Sequence, residues 1–193
     1  MPASRKAGTP LFRRIAAFLL AAASLLSGTA NCAPFSFHTL PYPFTDDQGK
    51  TLHLSDWRSR PLILTMEYSE CRFMCSVTFT QLKDIQAAAD EKKIAIDFVV
   101  ISLDPKNDTP AAWREYRVRR GVERDNWHLL TGSEAAMAEV AARLGIRYWY
   151  MGEHLLHDFK VVRLNAAGEI EKSLTVYGKD PAWLLLPAGQ SAD

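Results

Sequence analysis

Residues 61–75 read PLILTMEYSECRFMC: an apolar, β-branched run from Pro61 to Tyr68, then two cysteines, Cys71 and Cys75. A run of this kind reads as a buried strand. From Cys75 the period changes. Val77, Leu82, Ile85, Ala88 and Ala89 fall on one side of a helix, and Lys92 and Lys93 suit its carboxyl end. The chain therefore passes from strand to helix across a cysteine pair. Residues four apart at the start of a helix face the same way, so the two thiols can act together. Oriented N–H groups at the helix start, with Arg72 nearby, lower thiol pKa values, while Glu70 opposes this.

The same alternation continues outward. Pro41 to Leu54 reads as a small hairpin, with Phe44 and Leu52 apolar and turn chemistry in Asp46, Asp47, Gln48 and Gly49. Ile94 to Leu103 is a second buried strand, and Asp104 to Asp108 a loop. Thr109 and Pro110 open a helix as N-cap and first helical residue, with Trp113, Tyr116 and Val118 inward. Arg114, Arg117, Arg119 and Arg120, diluted by Glu115 and Glu123, read as its solvated face. Ser133 caps a further helix with Met137, Val140, Ala141 and Leu144 inside and Gly145 at its end. Ile146 to Tyr150 looks extended. Phe159 to Leu164 and Ile170 to Val176 are strands joined by the turn Asn165 to Gly168, and nothing periodic follows Gly178. This order predicts one α/β domain over residues 35–180, a central mixed sheet flanked by helices on both faces with an amino-terminal hairpin, and a tail at 181–193.

The first 33 residues differ from the rest. Arg5, Lys6, Arg13 and Arg14 precede an apolar run from Ile15 to Leu26, and small and polar residues follow to Ala33. This is the layout of a secretory leader, and the run is short for a membrane span. An exported, periplasmic protein is expected, with anchoring to the inner membrane by this segment as the alternative. Without the leader, 19 basic residues face 22 acidic ones. That balance, with no basic cluster interleaved with aromatics, argues against nucleic acid as a partner. Of the three cysteines, Cys32 lies at the leader's end, which leaves the Cys71/Cys75 pair. In an oxidising compartment such a pair needs a redox partner or a metal.

Two thiolates make an incomplete metal site. Soft thiolates select Cu(I) and zinc, and imidazole suits both. His38, His53, His128, His154 and His157 are the histidines from which a third donor could come. The first three read as ordinary surface or hydrogen-bonded residues. His154 and His157 precede the Phe159 strand, in a loop expected at the same end of the sheet as the cysteines. Met74, although soft, reads as a packing residue.

Four ordered motifs resemble the Sco/SenC family: Tyr68-x-x-Cys71-x-x-x-Cys75; Ser102-x-Asp104-Pro105-x-x-Asp108-Thr109-Pro110; Trp127-x-x-Leu130-Thr131-Gly132; and His157 eleven residues before Gly168. They lie within residues 40–177. The chain departs from the family at Arg72 and Ser76, where proline is usual, and at Asn165-Ala166-Ala167-Gly168, where Asp-Pro-Asp-Gly is usual. The resemblance implies a thioredoxin-like fold, copper held by Cys71, Cys75 and His157, and a copper chaperone role in assembling a respiratory oxidase copper centre. Partners would be a copper-accepting oxidase subunit or another copper carrier, with a thiol–disulfide reductase to keep the pair reduced. The competing reading is an enzyme, a thiol–disulfide oxidoreductase with Cys71 as nucleophile and Cys75 resolving. Its usual spacing, Cys-x-x-Cys, is one residue shorter than this one.

Overall fold

The computed structural model describes residues 33–70, 75–187 and 189. The leader with Cys32, and Cys71, Arg72 and Met74, lie outside the described residues.

In chain order, a short hairpin of β1 (Phe44–Asp46) and β2 (Thr51–Leu52) precedes β3 (Leu62–Glu67). Helix α1 (Cys75–Glu91), β4 (Asp97–Ser102), α2 (Pro110–Arg120), β5 (Trp127–Thr131) and α3 (Glu134–Leu144) follow. A second hairpin of β6 (Tyr148–Met151) and β7 (His154–His157) leads into β8 (Val161–Leu164), β9 (Ile170–Leu174) and α4 (Pro181–Leu185). These elements belong to the compact unit that begins at Phe35. Among the described residues one sheet has the order β2-β1-β5-β4-β3-β8-β9. Its centre, β5-β4-β3, is parallel, and the outer pairings are antiparallel. Among the same residues β6 and β7 pair only with each other. The expected mixed sheet with helices on both faces is present, and the fold is thioredoxin-like.

Alternation along the strands builds two cores. Leu62, Leu64 and Met66 of β3 join Val99, Ile101, Val140 and Leu144 in one layer. Ile63 joins Phe98, Val100, Leu82, Ile85, Trp113 and Tyr116 in the other. Each such side chain contributes about 1.5–3 kcal/mol on burial, and every residue of β3 is buried. By the same alternation Glu67 points to the side of Ile63, the side that α1 covers.

The helix starts follow the cap residues. The Thr109 hydroxyl accepts from the Ala112 N–H at 3.2 Å, and the Ser133 hydroxyl accepts from the Ala136 N–H at 3.1 Å. Four readings need correction. Val118 does not face inward: it is 61% exposed, because only Trp113 and Tyr116, three apart, share the buried stripe of α2. The arginine face is not simply solvated. Arg117 grips the Asp47 carboxylate with two guanidinium nitrogens at 2.6 and 2.8 Å and also donates to the Val122 and Trp127 carbonyls. Its planar fork suits such bridging, tying α2 to the first hairpin. The tail does not begin at 181, since α4 places Leu184 and Leu185 in the second core. His154 and His157 are not in a loop; they begin and end strand β7.

Candidate metal centre

The carboxyl end of β3 hands the chain toward Cys71, and two braces fix that approach. The Ser69 N–H donates to Asp108 Oδ1 at 2.8 Å, and the Ser69 carbonyl accepts from Arg119 Nη2 at 2.7 Å. Asp108 is itself held: its Oδ2 accepts from the Ser102 hydroxyl at 2.5 Å, and its carbonyl accepts from the Thr131 hydroxyl at 2.5 Å. The segment Ser102 to Pro110 thus supports Ser69, two residues before Cys71 in sequence. Burial pushes the Asp108 carboxyl above the usual range, with Asp104 adding to the rise and the Ser102 and Ser69 hydrogen bonds opposing it. Cys75 is the first residue of α1.

His157 arrives from the other side. In the β6–β7 hairpin it pairs with Tyr148, while His154 pairs with Met151. Three residues apart on a strand, the two histidines point to opposite faces. His154 is exposed, whereas the His157 side chain is only 5% exposed. The His157 ring stands edge-on to Tyr68, with centroids 6.2 Å apart. The Tyr68 hydroxyl donates to the Leu155 carbonyl at 2.7 Å, fastening β7 to the end of β3.

His157 Nδ1 lies 3.1 Å from the Asp158 carbonyl. A carbonyl only accepts, so Nδ1 carries the proton and Nε2 keeps its lone pair in the neutral ring, the usual arrangement for a metal-binding histidine. Nε2 is buried, has no hydrogen-bond partner among the described residues, and stands 3.5 Å from Oε2 of Glu67. Burial alone would pull the His157 pKa down; the Glu67 carboxylate and the Asp158 carbonyl outweigh it, so the value lies above the ordinary one. Glu67 is fully buried, and neither of its carboxylate oxygens has a hydrogen-bond partner among the described residues.

Of the site residues read from sequence, the structure brings His157 to the strand end that leads to Cys71 and sets Cys75 at the helix start. The thiols themselves lie beyond what is described. The other histidines are elsewhere. His38 is buried against Gly168 and not at the surface, His53 takes part in a capping box with Asp56, and His128 stands edge-on to Trp57 at 5.0 Å. Glu67 was not singled out from sequence. Its signal was a lone charge inside an otherwise apolar strand run, which in a buried strand demands a partner.

The donor set suits copper. A buried imidazole nitrogen with no hydrogen-bond partner among the described residues, and two cysteines that the sequence sets between strand and helix, are the soft and borderline donors that copper takes. The family model described as SCO1/SenC matches residues 34–178. A SCO1 protein homolog of Bacillus subtilis is 23% identical over 111 residues, 57% of this chain and 58% of that protein. The chain thus matches little more than half of that relative's length. Among solved structures, a SCO1/SenC family lipoprotein of Bacillus anthracis superposes with a TM-score of 0.67 at 18% identity, covering 78% of this chain and 92% of that one. ScoI of Bradyrhizobium japonicum, solved with copper bound, gives 0.62 at 18% identity, covering 74% and 94%. The match of the family model across the whole sheet and both motif-bearing loops makes this chain a member of the SCO1/SenC family.

Proposed function

We propose that this chain binds copper through Cys71, Cys75 and His157 and passes it, outside the cytoplasm, to an acceptor in the assembly of a respiratory oxidase copper centre. The observation that carries this reading is the state of His157: buried, proton on Nδ1, Nε2 without a hydrogen-bond partner among the described residues, at the strand end that continues to Cys71. Such a nitrogen is costly to bury unless something else occupies it, and a metal does so. Membership of a family with a copper-bound solved relative supports the choice of metal. Transfer would proceed by ligand exchange with a partner's thiolates and imidazoles, so the site needs no substrate cavity. The basic and apolar leader supports export.

The start of α1 at Cys75 also favours a thiolate and hence disulfide exchange. This second reading, a thiol–disulfide oxidoreductase, leaves the buried His157 without a task.

Titration of the reduced and the disulfide-oxidised protein with Cu(I) separates them. The reduced form should take one ion per chain and melt higher, since a ligand at a hundred times its dissociation constant adds about 2.7 kcal/mol to the native state. The oxidised form, and Cys71→Ser or Cys75→Ser, should lose tight binding. Equal binding by reduced and oxidised protein would refute a dithiolate copper site.

A further inference from the structure

We infer that strand β6 is a self-association surface: two copies of this chain pair their β6 strands antiparallel about a two-fold axis at Trp149, forming a weak and reversible dimer. The inference stands apart from the copper-binding reading and does not depend on it.

β6 is Tyr148-Trp149-Tyr150-Met151, and its residues are 36, 47, 66 and 61% exposed. They are half of the eight large apolar residues exposed among the described residues, and they are consecutive. Their strand is also an edge. Among the described residues β6 pairs with β7 alone, with Tyr148 opposite His157 and Tyr150 opposite Leu155. The Asp158 N–H donates to the Arg147 carbonyl at 2.9 Å, which makes Arg147 and Asp158 a hydrogen-bonded pair continuing this ladder. Hydrogen-bonded and non-hydrogen-bonded pairs alternate along an antiparallel ladder. Trp149 and Met151 therefore turn their backbone groups toward β7, whereas the N–H and C=O of Tyr148 and Tyr150 point away from it. Among the described residues no other backbone group bonds to them. Exposed edges are usually guarded by a charge, a proline or a bulge. β6 has no charged residue and no proline, and its pairing with β7 is regular.

Self-complementarity identifies the occupant. Outward-facing residues must meet outward-facing residues, and the register that does so with the fullest overlap is centred on Trp149. It sets Tyr148 opposite Tyr150 of the second copy, Tyr150 opposite its Tyr148, and the two Trp149 side chains against each other on the axis. Aromatic pairs so placed contribute about 0.2–1 kcal/mol each. The flanking charges are complementary as well. Arg147, whose side chain is 81% exposed, comes opposite Met151 of the second copy, and the exposed Glu153 of that copy is its diagonal neighbour. The product is a four-stranded ribbon, β7-β6-β6-β7, with each His157-bearing strand in an outer position.

Area sets the strength. Four side chains of this size at these exposures offer about 400 Å², enough to mark an interaction patch. A stable interface takes about 800 Å² from each partner. The patch falls short of a permanent dimer and suits one with a dissociation constant on the order of 10–100 µM.

Sedimentation of the exported protein from about 1 to about 500 µM tests this, with thiols reduced and copper chelated so that neither a disulfide nor a shared ion links chains. A reversible monomer–dimer equilibrium is expected. Amide NMR shifts should move with concentration at Tyr148, Trp149 and Tyr150 but not at Val118, an exposed apolar residue of α2. Trp149→Lys and Trp149→Glu each set like charges on the axis and should raise the dissociation constant about tenfold or more. Mixed in equal amounts, the two variants should associate again. Melting of each confirms that it folds. A parent that stays monomeric throughout overturns the inference, and binding of that monomer to phosphatidylglycerol vesicles would make a bilayer the occupant instead. A dimer that Trp149→Lys leaves intact also overturns it, as do concentration-dependent shifts at Val118 with none on β6. A mixture of the two variants no more associated than either alone does the same.

Discussion

The Tyr68 hydroxyl donates a 2.7 Å hydrogen bond to the Leu155 carbonyl, so the strand that runs toward Cys71 is fastened to the strand that ends in His157. The two ends of the candidate centre come from segments nearly ninety residues apart, and among the described residues β6–β7 pairs with no other strand. This bond and the edge-on contact of the Tyr68 and His157 rings register them. Tyr68→Phe keeps the ring and removes the bond. Thermal or urea unfolding should show a loss of about 1 kcal/mol, and copper affinity should weaken by a few-fold as His157 loses its fixed place. Unchanged affinity at equal stability would show that the hairpin is positioned by other contacts.

Gly168, at the turn between β8 and β9, has φ +79, and a Cβ there would come within 2.6 Å of the His38 ring. Two costs should add in Gly168→Ala: a left-handed backbone for a residue with a Cβ, and overpacking against a buried imidazole. Together they predict a loss of roughly 2–4 kcal/mol. The second cost disappears when the ring is absent. In a double-mutant cycle with His38→Ala, the alanine at 168 should therefore cost distinctly less than in the parent. Equal costs in both backgrounds would assign the whole effect to the backbone.

Leu184 lies in α4, beyond the boundary at residue 180 read from sequence, yet it is fully buried in the core that also holds Leu82 and Ile85. Leu184→Ala should destabilise the protein by about 2–5 kcal/mol, the range for a buried leucine that leaves a cavity. A loss under 0.5 kcal/mol in urea unfolding would return this segment to the status of a tail.

What was legible in the sequence follows from these cases. Strands β3 and β4 announced themselves because both of their faces are buried, which leaves a continuous apolar run. Thr109 and Ser133 marked helix starts because a hydroxyl there has a local hydrogen bond to make, and the motif spacing to Gly168 pointed to His157 before any geometry was known. Strand β7 was hidden because its four residues, His154 to His157, show no clean alternation, and its partner β6 is exposed throughout. Helix α4 is a single turn, too short for periodicity to register. Arg117 looked like a surface charge because its partner, Asp47, is 70 residues away in sequence. Glu67 was overlooked for the same reason: its significance lies in a neighbour contributed by a distant strand.

Asp108 offers a test of the brace on Ser69. Burial raises its pKa. A carboxyl whose folded pKa lies above its unfolded one binds a proton more tightly when folded, so its contribution is fully present below the ordinary aspartate value and is lost as pH rises through the raised value. The groups facing it are the Ser102 hydroxyl, the Ser69 N–H and Asp104. Asp108→Asn can accept from Ser69 and donate to Ser102 without titrating. The stability of the metal-free parent relative to Asp108→Asn should therefore decline as pH rises from the ordinary aspartate pKa, about 3.9, through the raised folded value. Urea melts of both proteins at a series of pH values measure this. A difference that stays flat, or that grows in the parent's favour as pH rises, would contradict a raised Asp108.

The two histidines of β7 separate metal binding from thiol chemistry. They sit at opposite ends of a four-residue strand and on opposite faces, and only His157 is buried beside Tyr68 and Glu67. His157→Ala should weaken Cu(I) binding by roughly a hundredfold or more, since it removes a ligand and not merely a ligand's support, while Cys71 and Cys75 remain able to form a disulfide. His154→Ala should stay within about threefold of the parent. Removing His157 alone strands the buried Glu67 charge, which costs up to several kcal/mol. The double variant Glu67→Gln/His157→Ala, compared with Glu67→Gln, therefore keeps the comparison among folded proteins. Disulfide reductase activity measured alongside supplies the contrast: a pure thiol exchanger would retain it in every histidine variant and bind copper tightly in none, parent included. Binding lost in His154→Ala and kept in His157→Ala would move the ligand to the exposed face of the hairpin. Binding kept in both would leave the metal on the cysteines alone, and His157 would then be a buried imidazole whose partner is Glu67.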